Sequence, residues 1–417
     1  MSFNSLPEAS ELRALFSRLD VKRAPSHAAR EPLCIVASVT NLRQIEQAYG
    51  ATFASAVRHV VFERARVLCE ERRGSFAPSG DHMLFLFNAP APRTVRDVGC
   101  SPVAAILLDR ILAVLGDRPI ITGSTIAFAA ITAKIAHMDD DRPFDPSVIA
   151  APKVQDAQPR KAWRDQFIAD TVVAERVFEA MATGRLSMSF EPIREANRPG
   201  ALVYEEALLS ETPKGKSDRI RVGRQLPSLE RLGLIRRLDR WVVDAVINTL
   251  RDDPDAHIGC NISAESATVD AWWALTLLKL SEAPNVAKRL TVEITETAPL
   301  IDFEEAFGFV RALKNVGCRV ALDDVGSGYS SFKSLLTLDV DVVKVDGSLL
   351  RHARLDETAR VRLTQLVSLA KACVQTVVVE GIETETDVRI ARLSGATWLQ
   401  GYLFSRGEQG RSSGRHA

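Results

Sequence analysis

The chain has 417 residues, 46% hydrophobic and 25% charged, enough for two or three domains with substantial buried cores. Its 53 basic and 53 acidic residues cancel, so bulk attraction to nucleic acid or anionic membrane is not a basis for function, and no DNA partner is expected. The six cysteines form no CxxC pair, which argues against a zinc site or a disulfide framework, and the apolar stretches are too short or too interrupted for a membrane span, so a cytoplasmic location is expected.

In chain order, residues 1–30 read as a flexible lead-in. A strand is predicted over Leu33–Val39, a helix near Asn41–Tyr49 and a long helix over Thr52–Glu71. Two short strands flank Pro78-Ser79-Gly80-Asp81, the second being Met83–Phe87, with His82 read as a turn residue. A helix over Pro102–Leu115 and an extended segment over Ile120–Ala130 complete a smaller α+β unit at 31–136, with helices on one face of an antiparallel sheet. Residues 137–171 read as a linker passing into a connecting helix, Trp163–Ala182. From 172 to 406 strands and helices alternate, as in an α/β barrel, and 407–417 read as a disordered tail. One helix carries the stripe Leu234, Ile235, Leu238, Trp241, Val242 and Ala245. Another opens on a capping box, Asp302 with Glu305, places Phe303, Phe307, Val310 and Leu313 on one face and closes at Gly317. A third runs from Thr384 to Gly395 with the same start and stop signals.

The apolar runs of this second region end on residues that hold metals or move protons: Glu206, Asn261, Glu293, Asp323-Asp324, Lys344 and Glu380. Any one alone is an ordinary charge flanking a strand. A repeated set is what the catalytic face of a parallel (β/α) barrel looks like in sequence. Hard divalent metals prefer oxygen ligands, and a two-metal hydrolytic site needs several carboxylates, one of them bridging. The adjacent Asp323 and Asp324 could reach two ions, and Lys344 could hold a water or offset phosphate charge.

Several separated motifs then agree in order: Glu206-Ala207-Leu208, Asn261-Ile262-Ser263, Glu293-Ile294-Thr295-Glu296, Asp323-Asp324-Val325-Gly326-Ser327-Gly328, Lys344-Val345-Asp346, Glu380-Gly381-Ile382-Glu383 and Gln400-Gly401-Tyr402. In these the region resembles the EAL family of cyclic di-GMP phosphodiesterases. The resemblance implies a TIM-like barrel, the EAL fold, that hydrolyses cyclic di-GMP to linear pGpG with Mg²⁺ or Mn²⁺. It implies Glu206, Asn261, Glu293 and Asp323 at a first metal, and Asp323, Asp324 and Glu380 at a second. Lys344 and Glu380 would orient and deprotonate the attacking water, with Glu383 and Gln400 in support. Glu296, Gly326, Ser327 and Gly328 would form a loop coupling metal binding to dimerisation, so a homodimer through the barrel and a regulatory protein partner are expected. Leu208 and Gln400 would line the substrate site. Two positions depart from the family at that clamp: Glu191 stands where a glutamine is usual, and Ser210 where an arginine contacts phosphate. An inactive cyclic di-GMP receptor or scaffold is therefore the alternative.

The first unit resembles a degenerate GGDEF cyclase domain. Ser38 to Arg43 lies at that family's metal-binding motif and Ser79-Gly80-Asp81-His82-Met83 at its signature turn. Ser38 cannot replace an aspartate on Mg²⁺, so an inactive regulatory domain is implied.

Overall fold

The computed structural model describes residues 32–90, 102–136, 161–215, 218–295, 303–327 and 331–405. They form two compact units, and the chain passes from the first to the second within the helix Lys161–Ala182.

The first unit contains β1 (Pro32–Val39), β2 (Ser75–Ser79), β3 (His82–Pro90), β4 (Ile120–Thr122), β5 (Thr125–Ala127) and β6 (Ile131–Ala136). An antiparallel sheet has the order β2-β3-β1-β6. β1 sits inside it and is apolar on both faces, so Leu33 to Ala37 are all buried. The helix Ala51–Glu71 buries Val57, Val61, Ala65 and Leu68 at helical spacing. Two expectations are corrected here. His82 opens β3, while the turn is the pair Gly80-Asp81, with Gly80 at φ +59°. The extended segment Ile120–Ala130 folds into a separate hairpin of β4 and β5 around Gly123, and the sheet's fourth strand starts only at Ile131.

The second unit contains β7 (Leu186–Glu195), β8 (Leu202–Glu211), β9 (Ile220–Arg221), β10 (Ile258–Ser263), β11 (Leu290–Thr295), β12 (Arg319–Val325), β13 (Val342–Val345), β14 (Thr376–Val379) and β15 (Trp398–Gln400). The order β10-β11-β12-β13-β14-β15-β7-β8 closes through a β8–β10 pairing into an eight-stranded barrel. Seven of these strands are mutually parallel, but β7 runs antiparallel to both β15 and β8. The all-parallel barrel expected from the alternation is thus corrected at one strand. The connection from Glu195 to Leu202 is too short for a crossover helix, so β7 and β8 can only form a hairpin.

β13 and β14 are buried on both faces, which explains their unbroken valine runs. Ile193, Tyr204, Ala321, Val342 and Val378 form a core inside the barrel. The helix Ile235–Asp252 buries Ile235, Leu238 and Val242 as expected, and Val246 and Leu250 continue the stripe, but Trp241 and Ala245 are only half-buried, and Asp239 is buried. The helix Phe303–Asn315 buries Ala306, Phe309, Val310 and Leu313 and leaves Phe307 exposed. Phe307 is one residue past Ala306, hence rotated about 100° out of the apolar stripe. Asp302 lies outside the described residues, as do the 1–30 lead-in and the tail from 407. Thr384 and Asp387 form the reciprocal capping box that opens the helix Glu385–Leu393. Among the described residues no helix is long and apolar enough to cross a membrane.

Candidate active site

The site is built around Lys344. This lysine closes the apolar run of β13 and is fully buried. Its Nζ lies 2.8 Å from Glu206 Oε2, 2.6 Å from Glu293 Oε2, 3.2 Å from Asp323 Oδ1 and 2.9 Å from Glu380 Oε1. Each carboxylate comes from a different strand: Glu206 from β8, Glu293 from β11, Asp323 from β12, and Glu380 from the residue after β14. Glu206, Asn261 and Glu293 lie inside their strands, short of the ends where the sequence reading set them.

Asp323 and Asp324 can serve one site because β12 is irregular there. Its pairing with β13 is regular at Leu322↔Val343 and resumes at Val325↔Val345, so two aspartates oppose the single residue Lys344. Asp324 takes φ +56°, in the left-handed region that short polar side chains tolerate. A bulge of this kind re-aims a side chain that strict alternation would turn outward. Ser327 continues the turn, its N–H and hydroxyl both donating to the Asp324 carbonyl at 3.1 and 2.8 Å. Gly326 has φ +98°, and a Cβ there would come within 2.6 Å of Leu349. Gly328 and Glu296 lie outside the described residues.

Four carboxylates around one ammonium leave an excess of buried negative charge. Burial and neighbouring carboxylates push Glu293 up to about 8 and Asp324 up to about 7. Burial, then Asp323, drives Glu380 well above the usual carboxylate range. Burial would also raise Glu206, but Lys344 and hydrogen bonds from Gln400 and Asn261 hold it below its ordinary value. Burial opposes the charge on Lys344, yet the surrounding carboxylates raise it well above a free lysine.

This donor set fits divalent cations. Oxygens of Glu206, Glu293 and Asp323 lie within 4.8 Å of one another, and so do those of Asp323, Asp324 and Glu380. Asn261 Nδ2 donates to Glu206 Oε1, leaving Asn261 Oδ1 buried with no hydrogen-bond partner among the described residues. Glu293 Oε1 and Gln400 Oε1 are in the same condition. Buried oxygens of this kind need a partner, and a cation supplies one.

The remaining predicted residues divide. Gln400, at the end of β15, donates through Nε2 to Glu206 Oε2 and, at 3.2 Å, to Glu191 Oε1. Leu208 is half-buried and Ser210 buried on β8. Glu383 is not brought into the carboxylate group: Arg354 holds it at 3.2 Å, while the same guanidinium grips Asp387 at 2.6 Å. Sequence reasoning passed over three features. Gly259 in β10 leaves room for the site, since a Cβ there would lie 2.2 Å from Glu293 Oε1 and 2.5 Å from the Tyr204 ring. Tyr204 is fully buried beneath Glu293 and Lys344. Asp239 accepts hydrogen bonds from Ser263 N (2.9 Å), Ser263 Oγ (2.8 Å) and Ser266 Oγ (2.6 Å), fixing the chain just after Asn261. The signal for Gly259 was there, because a glycine inside a strand marks a close approach.

A closed α/β barrel with carboxylates from several strands gathered toward their carboxyl ends defines a barrel with an acidic, metal-compatible centre. The chain belongs to the EAL domain family, whose model matches residues 174–407. Two similar proteins from Escherichia coli (strain K12) are named cyclic di-GMP phosphodiesterases. PdeL is 31% identical over 43% of this chain and 51% of its own length, and PdeF is 29% identical over 49% and 28%. The chain spans about half or less of the length of such curated relatives. The structure of the Vibrio cholerae LapD S helix-GGDEF-EAL, bound to c-di-GMP, aligns over 95% of this chain and 93% of its own, with TM-score 0.51 and 16% identity. That likeness in fold extends through the first unit, the GGDEF-like region.

Proposed function

We propose that this chain hydrolyses cyclic di-GMP to linear pGpG at a site for two divalent ions, Mg²⁺ or Mn²⁺, beside a cyclase-like unit without cyclase activity. The observation that carries this reading is the double membership of Asp323, which belongs to both groups of clustered oxygens. A shared carboxylate is what a two-metal phosphodiesterase site requires. Glu206, Asn261, Glu293 and Asp323 would hold one ion, and Asp323, Asp324 and Glu380 the other. Ions bound there would polarise the phosphodiester and lower the pKa of water. Lys344 positions the attacking water and offsets charge on the phosphate. Glu380, beside Lys344 at 2.9 Å, accepts the water's proton. Gln400 fixes the rotamer of Glu206 through its amide.

The test is turnover of cyclic di-GMP by the purified chain in Mn²⁺, with the product identified by mass. Linear dinucleotide is expected, and its absence over hours would overturn the catalytic reading. A second reading, a receptor that binds without cutting, is favoured by Ser210 and Glu191 at the clamp. Calorimetry in Ca²⁺ separates it: binding without turnover in any metal would establish the receptor.

A further inference from the structure

Strand β9 has only two residues, yet it changes what the barrel mouth presents. β8 keeps regular register with β7 from Glu211 back to Glu205, so positions 204, 206, 208 and 210 share one face. Tyr204 in the barrel core and Glu206 on Lys344 identify that face as the interior one. The opposite face behaves accordingly, with Glu211 held by Arg185 at 3.1 Å. Ser210 therefore faces inward, about 13 Å nearer the mouth than Glu206.

β10 pairs with β8 only at Glu205 to Ala207, and beyond that point β9 occupies the same edge. There Ser210 stands opposite Arg221 and Glu211 opposite Ile220. Val222 N donates to Leu209 O at 3.0 Å, which makes Ser210 and Arg221 a non-hydrogen-bonded pair. Such pairs have Cα atoms about 4.5 Å apart and side chains on the same face of the sheet. Arg221 thus leaves the sheet on the face of Glu206, Leu208 and Ser210. It is exposed, and among the described residues its guanidinium has no hydrogen bond or ion pair. A phosphodiester entering a pocket floored by carboxylates needs positive charge on its way in, and a guanidinium binds phosphate bidentately.

We infer that Arg221 is the phosphate-binding cation of this site, taking a phosphodiester oxygen of the cyclic dinucleotide from β9 where Ser210 on β8 offers no charge. The inference rests on the cyclic di-GMP reading given above. It is tested by calorimetry of the full chain with cyclic di-GMP in Ca²⁺, comparing the wild type with Arg221→Ala, Arg221→Lys and Arg221→Glu at two salt concentrations. Arg221→Ala should weaken binding about ten- to a hundredfold and flatten its salt dependence. Arg221→Lys should recover part of the loss, and Arg221→Glu should bind more weakly than Arg221→Ala. All three exchanges are at an exposed residue, and unchanged thermal unfolding checks that the fold is kept. If the wild type binds and Arg221→Ala binds equally well, this inference alone is wrong. If the wild type does not bind, the cyclic di-GMP reading falls and takes the inference with it.

Discussion

Lys344 is the residue on which the acidic centre depends when no divalent ion is bound. It has no exposed surface, and its ammonium is the shared partner of four carboxylates. Removing one partner from a buried ion pair leaves the others uncompensated and typically costs ~3–5 kcal/mol. Lys344→Met should therefore lower the unfolding temperature in chelator, and Mn²⁺ should raise that temperature more in the variant than in the wild type. Equal shifts would mean that the lysine and the ions do not compensate the same charge. Glu206→Ala removes a carboxylate from one group of clustered oxygens and Glu380→Ala from the other, and each should abolish turnover while far-ultraviolet circular dichroism stays native. Substantial turnover in either purified variant would overturn the assignment of these residues.

At the scale of elements, two strands accommodate the site through a local feature with a physical reason, β12 through its bulge at Asp323-Asp324 and β10 through Gly259. Gly259→Ala should sharply reduce turnover and destabilise by ~1–3 kcal/mol, as overpacking does. A variant with wild-type turnover would show that Tyr204 and Glu293 yield more readily than their 2.5 and 2.2 Å approaches indicate. The end of β10 is tied to Asp239, whose carboxyl burial pushes up from 3.8 to about 6 despite hydrogen bonds from Ser266 and Ser263. The folded carboxyl then holds its proton more tightly than the unfolded one. Below about pH 4 both states are protonated. As the pH rises to 6 the unfolded chain ionises first, so stability falls by up to ~3 kcal/mol through this group. The difference in unfolding free energy between wild type and Asp239→Asn should fall across that window. A flat difference would remove Asp239 as the source. The sequence announced the charges at the strands well, because apolar runs ending in Glu293, Lys344 or Glu380 are unusual. It could not announce the bulge that turns Asp324 inward or the reversal of β7, because both depend on pairing partners distant in sequence. Glu383 reads like a site residue in its motif, but its grip by Arg354 depends on a helix some thirty residues earlier.

At the scale of the whole molecule, the two units differ in what their chemistry-bearing positions are committed to. In the second, carboxylates converge, and beside them Asn261 Oδ1, Glu293 Oε1 and Gln400 Oε1 are buried with no hydrogen-bond partner among the described residues. In the first, Thr40 and Asn41 of the segment that resembles a cyclase metal motif are used to hold the fold. Ser38 is buried in β1 with no hydrogen-bond partner for its hydroxyl among the described residues, while Asn41 donates to Phe128 O and accepts from Ala130 N, both at 2.9 Å. Thr40 Oγ1 adds a bond to Ala130 O at 3.1 Å. These bonds fasten the end of β1 to the segment before β6 and place no carboxylate there. Asp81, in the signature turn, pairs with Arg58 at 3.1 Å. Joining two nucleotides requires metal ions at the reacting phosphates, and these residues offer no acidic set to hold them. The chain should therefore make no cyclic di-GMP from GTP and Mg²⁺. The decisive form of this experiment uses Glu206→Ala, in which hydrolysis is expected to be blocked and any product made would accumulate. Mass detection of cyclic di-GMP above a no-enzyme control would overturn this reading and make the first unit a synthase beside a hydrolase.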